Sequence, residues 1–230
     1  MANPPFNLKG WRKEDELTDD YRWKGYNVPR ASNANYAWIL HMISKLDVSH
    51  GVAGFLLANG ALNDPDEFEI RKQILLNDKV EAIVVLPRDM FYTTDISVTL
   101  WIVNMNKKAG TVNGRQLRDR THEVLFMDLR RWDENIEEIV IDKGKKKKKT
   151  ILNETQIDEI KKNYNNWKSA DESLYKDVPE FCRSVKLLNN DLTEDEKKAE
   201  ITTIESKNFS LAPSKYIEFI DHDLEIKKKK

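Results

Sequence analysis

Two short runs, the wholly apolar Val52–Ala58 and residues 80–86 with Glu81 as the one polar member, lack the alternation of a half-exposed strand, and this constrains the chain more than any other feature. A strand exposed on one face alternates with period two, so an unbroken run of strand length belongs in a sheet covered on both faces. The flanking segments supply the cover. From Asn35 onward Trp38, Ile39, Met42, Ile43 and Leu46 recur at helical spacing, and Gly51 follows as a stop signal. Asp64, Pro65 and Glu67 read as N-cap, first helical position and capping-box partner of a helix through Leu76. Helix, strand, helix, strand is the pattern of a parallel α/β sheet with right-handed crossovers.

Two more strands are expected at residues 97–104 and 123–129, as an antiparallel pair joined through the tight-turn dipeptide Asn113-Gly114. Past Ile141 the pattern becomes helical. Asn153 with Gln156 forms a capping box ahead of an apolar face of Ile157, Ile160, Tyr164 and Trp167, and Thr193 with Glu196 opens a second, highly charged helix. The expected division is a sheet-bearing region at 1–142 and a helical region at 143–230.

The chemistry sits at the start, in Asn3-Pro4-Pro5-Phe6. Each proline fixes its own φ and extends the residue before it, so Asn3 is held at a stiff strand-to-loop corner with its amide projecting. Two readings fit. The tetrapeptide is a surface turn, or it seats a flat, amine-bearing ring. In the second case the Asn3 oxygen and a proline carbonyl accept from the amine, and Phe6 stacks on the ring. Residues 7–32 show little periodicity and mix Trp11, Tyr21, Trp23 and Tyr26 with basic and acidic residues. Such a segment grips unstacked nucleic acid or tucks its aromatics against the domain.

Charge narrows the partners. With 38 basic and 39 acidic residues and a net charge of −1, the chain is not a free-standing nucleic-acid binder held by its overall field. The lysine runs 145–149 and 227–230 are expected to be mobile and solvated, and Arg115, Arg118, Arg120, Arg130 and Arg131 to face solvent. Cys182 is the only cysteine, which excludes an internal disulfide and suits a small buried filler. His41, His50, His122 and His222 lack metal-ligand spacing, so no metal site is expected. No apolar stretch approaches a membrane span or a signal peptide, so the protein is expected in the cytoplasm, away from membranes.

Several blocks, taken in order, resemble one family. Asn3-Pro4-Pro5-Phe6-Asn7 is followed by Tyr21-Arg22-Trp23-Lys24, by Asn33-Ala34-Asn35-Tyr36-Ala37-Trp38, and by Gly51-Val52-Ala53-Gly54-Phe55-Leu56-Leu57-Ala58-Asn59-Gly60. Then come Val80-Glu81-Ala82-Ile83-Val84-Val85-Leu86-Pro87, Leu100-Trp101-Ile102-Val103, Val124-Leu125-Phe126-Met127-Asp128-Leu129 and Phe209-Ser210-Leu211-Ala212-Pro213. Together they are similar to the methyltransferase (modification) subunit of type I restriction-modification systems, with residues 143–207 matching only loosely.

The resemblance implies an adenine-N6 DNA methyltransferase using S-adenosylmethionine. Asn3 and Pro4 would accept from the exocyclic amine of a flipped adenine, Phe6 would stack on it, and Pro5 would stiffen the corner. It also implies work on DNA with a specificity subunit and a restriction subunit. That family carries a glycine-rich cofactor loop upstream of the motif, whereas here only Met1 and Ala2 precede Asn3. The expected fold is therefore α/β, the C-terminal half of a Rossmann-like methyltransferase sheet with parallel strands, an antiparallel hairpin and a helical tail. No cofactor-binding residues are expected in it, the chain alone should be inactive, and an uncovered sheet edge would favour a homodimer. Two alternatives remain: a non-catalytic assembly module, and a methyltransferase acting on another amine or amide.

Overall fold

In the computed structural model, residues 1–92, 94–140 and 144–219 are described. The first helix, α1 (Asn35–Lys45), buries Tyr36, Ile39, Leu40 and Ile43 at i, i+3, i+4 and i+7. This stripe is rotated from the expected one, and Trp38 and Met42 are left half-buried. Gly51 lies beyond the helix end and closes the following turn: its N–H donates to the Asp47 carbonyl at 2.8 Å. A Cβ there would come within 2.6 Å of that oxygen, which explains the glycine.

Strand β1 (Val52–Ala58) comes next, then a 3-10 turn at Pro65–Glu67 running into α2 (Phe68–Leu76). Asp64 caps the turn, its side chain accepting from the Asp66 N–H at 3.0 Å. Glu67 is not the capping-box partner expected of it. Its side chain is buried and accepts instead from the Arg30 N–H at 3.3 Å. The chain continues through β2 (Val80–Val85), β3 (Val98–Asn104), β4 (Gly110–Val112), β5 (Arg115–Leu117) and β6 (Glu123–Asp128). Beyond these lie β7 (Ile136–Val140), β8 (Lys146–Thr150), α3 (Glu154–Lys168), β9 (Cys182–Lys186) and the short α4 (Glu194–Lys198).

Among the described residues, five strands form one mixed sheet in the order β1-β3-β2-β6-β9. β1 and β2 point the same way, as their shared pattern implies, but β3 lies between them, antiparallel to both. The reason is the link from β2 to β3. Among the described residues it contains no helix, and a parallel neighbour would need a crossover, so β3 turns back against β2. β6 then takes the free side of β2, parallel to it. The expected antiparallel pairing of residues 97–104 with 123–129 does not occur. Asn113 and Gly114, both at positive φ, turn the separate β4–β5 ribbon instead. The C-terminal region also departs from a helical tail, because β9 joins the sheet antiparallel to β6 and β7–β8 form another ribbon.

Both sheet faces are covered over β2 and β6. Ile83, Val85 and Phe126 pack with α1 and α2 on one side, and Ala82, Val84, Leu125 and Met127 with Trp167 of α3 on the other. Both expected capping boxes form, Asn153 with Gln156 and Thr193 with Glu196. Cys182 is buried, and burial pushes its thiol up to about 11.

The charged residues depart most from expectation. Arg120 is 1 % exposed and pairs with the fully buried Glu81 at 3.2 Å. Arg115, Arg130 and Arg131 are exposed as expected, the last two paired with Asp128 and Glu180, while Arg118 is half-buried against Glu123. The first lysine run is mostly strand β8, with Lys149 buried against Asp95 at 3.0 Å. The run at 227–230 and His222 lie outside the described residues.

Candidate active site

The amino end runs beside β1 as an edge segment. Ala2 bridges Phe55 in parallel: its N–H donates to the Gly54 carbonyl at 3.0 Å, and its own carbonyl accepts from the Leu56 N–H at 3.1 Å. Phe55 is buried and stacks on Trp101 of β3, with ring centroids 6.2 Å apart, so the segment rests on rigid core. Because Ala2 runs parallel to β1, Asn3 emerges towards the carboxyl ends of β1, β2 and β6. In open α/β sheets that end is where ligands bind.

Asn3 and Pro5 are exposed, while Pro4 and Phe6 are half-buried. Among the described residues the Asn3 amide makes no hydrogen bond, and Asn3 borders a hollow of about 370 Å³ lined also by Met1, Ala2, Gly54, Phe55, Leu56 and Leu100. That volume lies in the range of small-molecule sites, and no lining side chain is charged. Pro4, Pro5 and Phe6 do not line it.

The far side of the tetrapeptide is pinned by α1. The Asn7 N–H donates to Asn35 Oδ1 at 3.0 Å, Asn35 Nδ2 donates to Asn7 Oδ1 at 2.8 Å, and the Ala34 N–H donates to the Leu8 carbonyl at 2.9 Å. Asn7 adopts a positive φ of 51°, a conformation asparagine tolerates better than most residues. Asn35 is 3 % exposed, a buried amide at a helix start whose two side-chain bonds are spent on the motif. The four-residue corner is thus tied at one end to a strand and at the other to a helix. A projecting amide held this way can accept hydrogen bonds from the N–H groups of a ligand amine without its backbone first being ordered.

A second polar group occupies the same end of the sheet. Thr99 Oγ1 donates to Asn59 Oδ1 at 2.7 Å, Asn59 Nδ2 donates to Ser97 Oγ at 3.1 Å, and Ser97 Oγ donates to the Leu86 carbonyl at 2.6 Å. This string joins the end of β1 to the ends of β3 and β2. At the end of β6, buried Asp128 accepts from Arg130 Nε at 2.9 Å and Nη2 at 2.5 Å. Asn35, Asn59 and Asp128 were quoted in the sequence only as parts of family-like blocks. A buried asparagine has no local signature, since what buries it is a partner distant in the chain.

The aromatics of residues 7–32 settle mostly inward. Trp23 is buried, Trp11 meets it edge-on with centroids 6.0 Å apart, and Trp11 Nε1 donates to the Arg30 carbonyl at 2.9 Å. Tyr26 packs partly on the same core, whereas Tyr21 stays exposed.

The sequence pattern of the N-6 DNA Methylase family matches residues 1–223. The chain is 34 % identical over 222 residues to the type I restriction enzyme HindI methylase subunit of Haemophilus influenzae, covering 94 % of this chain and 41 % of the relative. It is 44 % identical over 112 residues to the MjaIX methylase subunit of Methanocaldococcus jannaschii, covering 46 % of this chain and 20 % of that relative. The fold is similar to the crystal structure of a type I restriction-modification methyltransferase subunit from Streptococcus thermophilus, with a TM-score of 0.67 at 22 % identity, covering 95 % of this chain and 37 % of the other. The chain therefore spans about two-fifths of the length of the HindI relative.

Proposed function

The chain belongs to the N-6 DNA methylase family, and on that premise we propose that it forms the base-receiving part of a type I restriction-modification methyltransferase acting on adenine N6 in DNA. The observation that carries the reading is the Asn3 amide, exposed, without a hydrogen bond among the described residues, and braced on both sides. A flipped adenine would place its amine against Asn3 Oδ1 and the Pro4 carbonyl, with Phe6 against the ring. Two acceptors on the amine leave the nitrogen lone pair directed away from them and stabilise the positive charge that develops as the nitrogen is alkylated. Pro5 keeps the backbone extended while this happens.

S-adenosylmethionine would supply the methyl group in an enzyme of this class. The residues around the hollow do not fit its site, since they include no carboxylate for a ribose and only one glycine. The chain's own residues thus serve the acceptor side of the reaction, and the chain alone should be inactive. DNA, a sequence-reading specificity subunit and a restriction subunit are the proposed partners, in the cytoplasm. Among the described residues no helix is long and apolar enough to cross a membrane.

A second reading, an assembly module without catalysis, draws on a different observation. Gly54, Leu56, Leu100 and Ile102 are only half-buried on one sheet face beside the open edge at Ala2, a surface suited to another protein body. Product analysis separates the readings. An assembled methylase containing this chain should place a labelled methyl group on adenine N6 of duplex DNA, identified after nuclease digestion. Label on protein amides or RNA, or none at all, would sink the proposal.

A further inference from the structure

The lysine run that composition assigns to solvent is built into the candidate end of the sheet. In the β7–β8 ribbon, Glu138 faces Lys148 and Val140 faces Lys146, so these side chains share one face, and Lys147 and Lys149 share the other. The inner pair is anchored. Lys147 and Lys149 reach Asp95 at 2.5 and 3.0 Å and hold its carboxyl down to about 2, while the Thr150 N–H donates to the Asp89 carbonyl at 3.1 Å. Asp89 and Asp95 belong to the link leaving the carboxyl end of β2, whose Leu86 carbonyl is bonded to Ser97 and through it to Asn59.

The outer face carries two lysines and one carboxylate between the exposed Ile136 and Val140. Lys146 and Lys148 are exposed; Lys146 meets Glu138 at 3.0 Å, and Lys148 has no ion pair among the described residues. Lys145 adds a further exposed charge. The ribbon projects from the same end of the sheet as Asn3. Three strand spacings separate the Ala2 segment from β2, about 14 Å. The ribbon is tied to the link that leaves this end of β2, so a duplex that delivers a base to Asn3 and lies across the strand ends runs towards it.

Resting on the functional reading above, we propose that the outer face of the β7–β8 ribbon, through Lys146 and Lys148, binds the phosphate backbone of the DNA duplex flanking the everted base. Charge complementarity selects this occupant. An anchored ribbon offering Lys146 and Lys148 along one strand suits a regular row of phosphates, which would compete with Glu138 for Lys146 and meet Lys148 directly. The ribbon contributes affinity without sequence preference, in keeping with a chain of near-zero net charge whose DNA contacts must be local.

The test is a fluorescence-anisotropy titration of a labelled duplex with the full chain at several salt concentrations. K146A/K148A should weaken binding at low salt by about tenfold and reduce the slope of log K against log salt by about 1.8, the value for two phosphates. K197A/K198A removes the same charge from α4 and should leave the slope unchanged. An unchanged slope in K146A/K148A, an equal loss in both variants, or no duplex binding by the natural chain would overturn the proposal. Ribbon-dependent binding to polyglutamate with no ribbon-dependent effect on duplex would assign the face to an acidic protein and also overturn it. Asn3→Ala keeps the two claims apart: it should leave the slope intact whatever it does to methyl transfer in the assembled enzyme.

Discussion

At the scale of single residues, the account turns on amides placed where their partners differ. Asn35 is buried and fully engaged with Asn7, whereas Asn3, four positions before Asn7, is exposed and engaged with nothing among the described residues. The first is scaffold, and the second is the group proposed to meet the base. Glu67 shows the opposite economy, a carboxyl whose environment works against its charge. Burial raises it from 4.5 to about 7, against the lowering effect of Arg30. The folded chain thus prefers the protonated group, so stability from this linkage is complete below about pH 4.5 and is lost as pH rises through 7. Glu67→Gln should be insensitive to that change. Urea midpoints at pH 5 and pH 8 should show the natural chain losing about 1–3 kcal/mol more than the variant, and equal losses would refute the assignment.

Among the elements, Glu81 couples three parts of the structure that the chain order keeps apart. From β2 it accepts from Arg120 Nε at 3.2 Å, from Asn104 Nδ2 of β3 at 2.9 Å and from the Tyr164 hydroxyl of α3 at 3.1 Å. Glu81→Ala would leave Arg120 buried and unpaired, and should cost about 3–5 kcal/mol in chemical denaturation. A loss below about 1 kcal/mol would contradict the coupling. The network also explains what the sequence could not reveal. Arg120 looked solvated because it sits among charges, and its buried partner lies 39 residues away.

Strand positions were legible where composition dictates them: both apolar runs are strands, β2 buried throughout and β1 covered on one face only, and Asn153 and Thr193 cap helices as their local patterns imply. Pairing was less so. The insertion of β3 between β1 and β2 follows from the absence of a crossover helix, a feature of chain length rather than of strand pattern. For β8, four consecutive lysines carry no strand signature, and only Asp95 and the register with β7 make them one. At the candidate site, Asn3 and its prolines could be read directly, whereas Asn35 and Asn59 became visible only through contacts distant in sequence.

For the whole molecule, the uneven covering of the sheet has a consequence. β2 and β6 are enclosed on both faces, but Leu56, Leu100 and Ile102 near the Ala2 edge are half-buried, and Met1 is fully exposed beside them. Such a surface favours association. Sedimentation velocity should show the isolated chain forming dimers as concentration rises, and Leu100→Lys should shift it to monomer without loss of secondary structure. A natural chain that stays monomeric at about 100 μM would contradict this. The central claim is that the braced Asn3 amide holds the reacting amine. It is tested most directly by the single-turnover rate of adenine-N6 methylation in an assembled methylase carrying Asn3→Ala. The rate should fall by about 10²–10³-fold with thermal stability unchanged, and a rate within about twofold of the natural enzyme would contradict the account.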